Sequence, residues 1–146
     1  MTGARTGGAV PEMPGDATRE MDPSPLDPAN LLPNLVARRA DDARDVAFLV
    51  EADGASMTYG EFDERVRRWV TVLRQFGVDA GDTVAVMLPT SVEEHCTWIA
   101  CGWLRALQVP INTAYRGVML DHVLSDSGAS VAIASPEYAD LIDATP

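Results

Sequence analysis

Residues 83–104 read TVAVMLPTSVEEHCTWIACGWL, and this stretch decides the fold. Thr83 to Leu88 is a nearly unbroken apolar run of the kind that parallel sheets bury on both faces. Pro89, Thr90 and Ser91 break it. Ser91 with Glu94 then makes a capping-box pattern, which predicts a helix reaching Leu104, with Glu93 and Glu94 suited to its positive end. Strand, turn and helix in that order are half of a βαβ unit.

The flanking sequence repeats the alternation. Upstream, Thr58-Tyr59-Gly60-Glu61 is a second capping box. The helix it opens has apolar positions Phe62, Val66, Trp69, Val70, Leu73 and Phe76, which tile one face of a 3.6-residue period, and Gly77 supplies a left-handed cap. Arg65, Arg67, Arg68 and Arg74 fall mainly on the opposite side beside Asp63 and Glu64, as a solvated ion-pair face or an anion site. Before them, Leu31, Leu32, Leu35 and Val36 predict a short amphipathic helix and Asp45 to Glu51 a strand. Asp53-Gly54 is a turn signal, after which Ser56 to Thr58 pairs back or feeds forward. Downstream, Gln108–Ile111 and Ser130–Ser135 read as strands. Val118–Ser127, closed by Gly128, and the stretch from Pro136 through Asp143 read as helices.

This order predicts an α/β fold, a mostly parallel sheet with flanking helices joined by right-handed crossovers. Three or four strands rarely complete such a sheet, so an uncovered edge calls for more chain, or for another protein, to cover it. The folding unit is residues 28–146. Residues 1–27, with four prolines, four glycines and no aromatic residue, read as a disordered leader.

Composition removes several classes of function. The 146 residues carry 22 acids against 11 basic residues, a formal net charge of −11, and every basic residue is Arg. Without lysine there is no Schiff base and no phosphate-loop ammonium. The acidic balance disfavours nucleic acid and anionic membranes as partners. No charge-free run approaches the roughly 20 residues of a membrane span. The first 30 residues hold no apolar signal core and five acids, so the expected location is the cytoplasm. Cys96 and Cys101 sit roughly 140° apart on one helix, which suits two buried thiols rather than a bridge or a zinc site.

Ligands of open parallel sheets lie beyond the carboxyl ends of the strands, here the loops at 89–91, 112–117 and 135–136. None of these loops carries a Gly-x-Gly-x-x-Gly turn, because no two glycines of the chain are two residues apart. His95 and His122 stand outside metal-ligand spacings, Ser91, Ser125 and Ser127 lack a nucleophile elbow, and Asp121 and Asp126 face different ways around a helix. No catalytic residue and no metal ligand is therefore assigned. The most distinctive loop runs from Asn112 to Gly117, where Thr113, Tyr115 and Arg116 are the candidate cofactor-binding residues, with hydrogen bonding to the turn itself as the alternative.

Met57-Thr58-Tyr59-Gly60-Glu61-Phe62, then 77–88 (GVDAGDTVAVML), then Pro89-Thr90-Ser91, resemble in order the first motifs of the adenylate-forming (AMP-binding) enzymes. These include acyl-CoA synthetases, luciferases and peptide-synthetase adenylation domains. Residues 109–117 (VPINTAYRG), with Leu120 and Asp126-Ser127-Gly128-Ala129, are similar to acyl-CoA ligases of the crotonobetaine/carnitine-CoA type. The resemblance covers roughly Leu31 to Ser135. It implies an incomplete N-terminal subdomain of an enzyme that activates a small carboxylate with ATP and Mg to an acyl-adenylate and passes the acyl group to CoA. The family's phosphate loop, ribose-binding Asp, Mg-binding Glu and catalytic lysine lie downstream of the matched region, so no catalytic residue carries over and the chain alone is expected to be inactive. Two alternatives are a stand-alone interaction module docking through its open sheet edge and a small nucleotide-binding domain. One departure stands out. Arg105 occupies the place where the family usually has glycine after the second long helix, so it either adopts a left-handed conformation at a cost of about 1 kcal/mol or the helix ends differently.

Overall fold

The computed structural model describes residues 27–51 and 54–144. The expected leader, except Asp27, and Asp53 of the expected turn lie outside the described residues. A 3-10 turn at Pro28–Asn30 precedes α1 (Leu32–Asp42), β1 (Ala47–Val50) and β2 (Ser56–Thr58). Then come α2 (Tyr59–Gln75), β3 (Thr83–Met87), α3 (Val92–Leu104), β4 (Leu107–Pro110), α4 (Val118–Ser127), β5 (Val131–Ala134) and α5 (Pro136–Asp143).

The predicted α/β class holds, with the strands divided between two sheets. β3, β4 and β5 are all parallel, in the order β4-β3-β5, with Val84 opposite both Gln108 and Val131. β1 and β2 form a separate antiparallel hairpin, so Ser56–Thr58 pairs back. Gly54, at φ 92, supplies the turn that a side chain would strain. A register shift between Ala47 and Leu49 accompanies the ring of Phe48, which stacks on Tyr59 at 4.5 Å and meets Phe62 edge-on at 5.0 Å. The hairpin is thereby fastened to the head of α2.

β3 is central because its side chains serve both faces. Val84 and Val86 join Phe62, Val66 and Leu73 of α2 and Ile99 of α3 in one core, while Ala85 and Met87 join Ile111 and Leu120 in a second. Each fully buried aliphatic or aromatic side chain stabilises the fold by about 1.5–3 kcal/mol as an upper bound. Two details of the α2 reading need correction. Phe76 is 71% exposed, because it is the C-cap residue at φ −87, ψ 9 and leaves the helical stripe, and buried Val78 takes the core position instead. Asp63 is buried rather than solvated, its Oδ2 accepting from Arg67 Nε at 2.7 Å and its Oδ1 having no hydrogen-bond partner among the described residues.

Both long helices end in the same hydrogen-bond pattern on different residues. After α2, the amides of Gly77 and Val78 donate to the carbonyls of Arg74 and Leu73, with Gly77 at φ 81. After α3, the amides of Arg105 and Ala106 donate to Gly102 and Cys101, with Arg105 at φ 58, ψ 30. These are Schellman closures, and Arg105 takes the left-handed residue's place despite its Cβ. Its carbonyl also accepts from Gly81 at 3.0 Å, which ties the two closures together at the entrance to β3.

Candidate functional site

The parallel strands β3 and β4 end side by side, and beyond their carboxyl ends lies a cleft of about 400 Å³. Its polar lining is Thr90, Glu94, Asn112 and Thr113, set against Val86, Leu88 and Ile111. α3 delivers Glu94 here because Ser91 starts the helix, its Oγ accepting from the Glu94 amide at 3.3 Å. The expected reciprocal half of that capping box is replaced. The Glu94 carboxylate turns instead to β4, accepting from Gln108 Nε2 at 3.2 Å, and lies 3.5 Å from His95 Nδ1. His95 Nδ1 sits 2.7 Å from the Ser91 carbonyl, to which it donates, so the ring is spent closing the first turn. Gln108 Oε1 is buried without a hydrogen-bond partner among the described residues.

A second hollow of about 550 Å³ opens on the other side of the α3 entrance, between it and the hairpin, lined by Leu49, Val50, Glu51, Thr90, Ser91 and His95. Next to it, Glu93 is the joint between α2 and α3, accepting from Trp69 Nε1 at 2.6 Å and pairing with Arg65. Arg65's own hydrogen bond to Glu93, and the charge of that carboxylate, hold the Arg65 pKa above its ordinary value.

The three residues proposed from the sequence are separated by the structure. Thr113 lines the strand-end cleft. Tyr115 does not line it; it packs against the core beneath α4 and α5, its amide donating to the Asn112 carbonyl at 2.9 Å. Arg116 Nη1 donates to the carbonyls of Thr113 and Tyr115 at 2.7 and 2.6 Å, and its guanidinium lies 5.8 Å from the Tyr138 ring centre. Asn112 Oδ1 accepts from the Ala114 amide at 2.9 Å, an Asx turn that closes the loop. Asn112 and Arg116 are thus committed to the loop's own backbone.

Sequence reasoning missed Glu94 as a cleft residue and Gln108 as its hydrogen-bond partner. Glu94 read as a helix cap, and Gln108 carried no motif; they meet only because the parallel register sets β4 beside β3 under α3. The lining fits neither triphosphate nor its magnesium. Its single charged residue is an acid that would repel phosphate, and among the described residues no cluster of three or more His, Cys, Asp or Glu could hold a metal ion. What the arrangement offers is a wall, partly apolar and partly hydrogen-bonding, at a strand-end crevice. No helix of the described residues is long and apolar enough to cross a membrane.

Comparison with known proteins gives this geometry its context. The AMP-binding enzyme family matches residues 36–145. A feruloyl-CoA synthase of Amycolatopsis is 42% identical over 98 residues, covering 67% of this chain and 20% of that protein. The long-chain-fatty-acid–CoA ligase FadD13 of Mycobacterium tuberculosis is 36% identical with the same coverage. The inhibitor-bound N-terminal domain of FACL13 from Mycobacterium tuberculosis superposes with a TM-score of 0.72 at 34% identity, over 77% of this chain and 28% of that one. The chain therefore spans about a fifth of the length of the curated relatives it matches.

Proposed function

This chain belongs to the AMP-binding enzyme family, and from that premise we propose that it is the N-terminal part of an ATP-dependent acyl-CoA ligase and does not form acyl-adenylate alone. In the complete reaction, a carboxylate is activated with ATP and Mg to an acyl-adenylate with loss of pyrophosphate, and the acyl group is then passed to the CoA thiol. The part of this chain in that reaction is scaffold and wall. The ends of β3 and β4 and the first turn of α3 hold Thr90, Glu94, Asn112 and Thr113 at the strand-end crevice, where they would border a bound organic group. We place the reaction in the cytoplasm, with a small carboxylic acid as substrate and the rest of the ligase as partner.

The observation that carries this reading is the coverage: two thirds of this chain aligns with acyl-CoA ligases of which it spans one fifth. Its physical complement is the absence of lysine and the folding of the Arg116 guanidinium onto its own loop, which leave no cation among the residues that line the strand-end cleft. The test is carboxylate-dependent exchange of labelled pyrophosphate into ATP, with ferulate and fatty acids as substrates. The chain alone should match a no-protein control, and exchange above that control would overturn the reading.

A further inference from the structure

We propose that the groove between the second half of α2 and the end of α3 binds a planar aromatic carboxylate. The groove, of about 330 Å³, is lined by Arg67, Val70, Thr71 and Arg74 of α2 and by Trp103 of α3. It is separate from the strand-end cleft, because Trp103 stands nine residues after Glu94 along α3, roughly 13 Å of helix. The proposal is independent of the reading of the chain as part of a longer ligase. Arg67, Val70, Thr71 and Arg74 stand at i, i+3, i+4 and i+7, so one helix face presents all four, with an arginine at each end. Arg67 Nε donates to Oδ2 of the buried Asp63 at 2.7 Å, and Asp41 adds a second negative charge acting on that guanidinium. The guanidinium lies 6.0 Å from the Trp103 ring centre, and its Nη groups have no hydrogen-bond partner among the described residues.

The two arginines are thus unequal. Asp63 compensates Arg67, whereas the Arg74 guanidinium has no carboxylate partner among the described residues, and the residues three and four positions from it are Val70, Thr71, Gly77 and Val78, none of them acidic. One uncompensated guanidinium suits one carboxylate, which its planar fork can hold through two parallel hydrogen bonds. The remaining lining suits a ring. Trp103, 37% exposed, offers aromatic surface for offset stacking, Val70 adds an apolar wall, and the indole N–H of Trp103 has no acceptor among the described residues. The net charge of −11 repels anions at a distance, and more so those of higher charge, so short-range ring contact has to supply part of the attraction. The volume lies at the small end of ligand sites, enough for one ring and one acid group.

The test titrates the isotope-labelled 146-residue chain with sodium benzoate and follows the indole N–H resonances of Trp69, Trp98 and Trp103. The Trp103 resonance should move saturably, with half-saturation on the order of 1 mM, while Trp98 and Trp69, the latter already bonded to Glu93, stay in place. Acetate, which has the charge without the ring, and benzyl alcohol, which has the ring without the charge, should each bind on the order of 10-fold more weakly. Arg74→Gln should weaken benzoate by a similar factor and Arg74→Lys by less. Both should keep the melting midpoint of the unaltered chain, because Arg74 is exposed and has no ion pair among the described residues. Should either variant fail to fold, the three ligands on the unaltered chain decide. No movement of Trp103 at about 20 mM benzoate, equal movement of all three indoles, or benzoate binding unchanged in Arg74→Gln overturns the proposal. Acetate matching benzoate leaves only a charge site, benzyl alcohol matching it leaves only an apolar groove, and either result overturns the proposal. Phenyl phosphate binding more tightly than benzoate puts a phosphate ester in place of the carboxylate and overturns the ligand class.

Discussion

Trp69 donates its indole N–H to Glu93 Oε2 at 2.6 Å, joining the middle of α2 to the first turn of α3. The other oxygen of that carboxylate pairs with Arg65, one turn before Trp69. One acid thus links the capped helix that carries the hairpin to the helix that lines the strand-end cleft.

Removing this joint separates its two components. Glu93→Ala should lower stability by about 1 kcal/mol in urea denaturation, because it leaves the partly buried indole donor without its acceptor. Glu93→Gln, which keeps an acceptor, should cost less. The ion pair is about two-fifths exposed on each side, so its share is a few tenths of a kcal/mol and should fade in 1 M salt.

Arg105→Gly should stabilise the chain by about 0.5–1 kcal/mol, since glycine relieves the Cβ strain at φ 58 and gives back only part of the gain as chain entropy. Urea midpoints at constant m-value check it. A loss of stability would mean that the arginine side chain compensates for its own backbone.

Gly102 is a case where helix propensity and packing oppose each other. Alanine is favoured over glycine by about 1 kcal/mol in a helix interior, but a Cβ at 102 would lie 2.9 Å from the Pro33 ring. Gly102→Ala should therefore be neutral or destabilising, and combining it with Pro33→Ala should recover the propensity gain. Thermal midpoints of the double-mutant cycle read the coupling.

Burial pushes the Cys96 thiol up to about 12 and the Cys101 thiol up to about 11. Both should resist aromatic-disulfide reagents at pH 8 in the native chain and react promptly in denaturant. The sign for stability follows from linkage: the unfolded thiols ionise near pH 9 while the folded ones hold their protons. Stability contributed below pH 9 is lost as pH rises toward 11–12, and replacing both cysteines with alanine should flatten that alkaline limb.

Glu61 has the opposite sign. The Thr58 amide and hydroxyl hold its carboxyl below its ordinary value, so the stability it contributes is present above pH 4.5 and lost as pH falls through the lowered value. Glu61→Gln should flatten the acid limb of the stability profile in thermal scans, and a limb unchanged by it would rule that carboxylate out as its source.

Much of the fold was legible because its signals are local. The caps at Thr58 and Ser91, the glycine at 77, and the apolar run 83–88 each act within one turn or one strand, and the structure places elements at those positions. Asp63 and Phe76 were misread for the same reason: periodicity says which side of α2 a residue occupies, whereas burial depends on what packs over it and on where the last helical turn ends.

The candidate site was far less legible. Thr113, Tyr115 and Arg116 are neighbours in sequence, yet only Thr113 reaches the cleft; Tyr115 packs into the core and Arg116 bonds to its own loop. Glu94 does line it, and its partner Gln108 is fourteen residues away.

The amino-acid order alone determined the α/β class, the alternation of elements and the helix ends, because hydrogen bonds and sterics among near neighbours select those. Only the tertiary structure decided the strand order β4-β3-β5 and the folding of the Arg116 guanidinium onto its own loop. These depend on register between segments that sequence keeps apart, and register is chosen by which side chains bury together across the sheet.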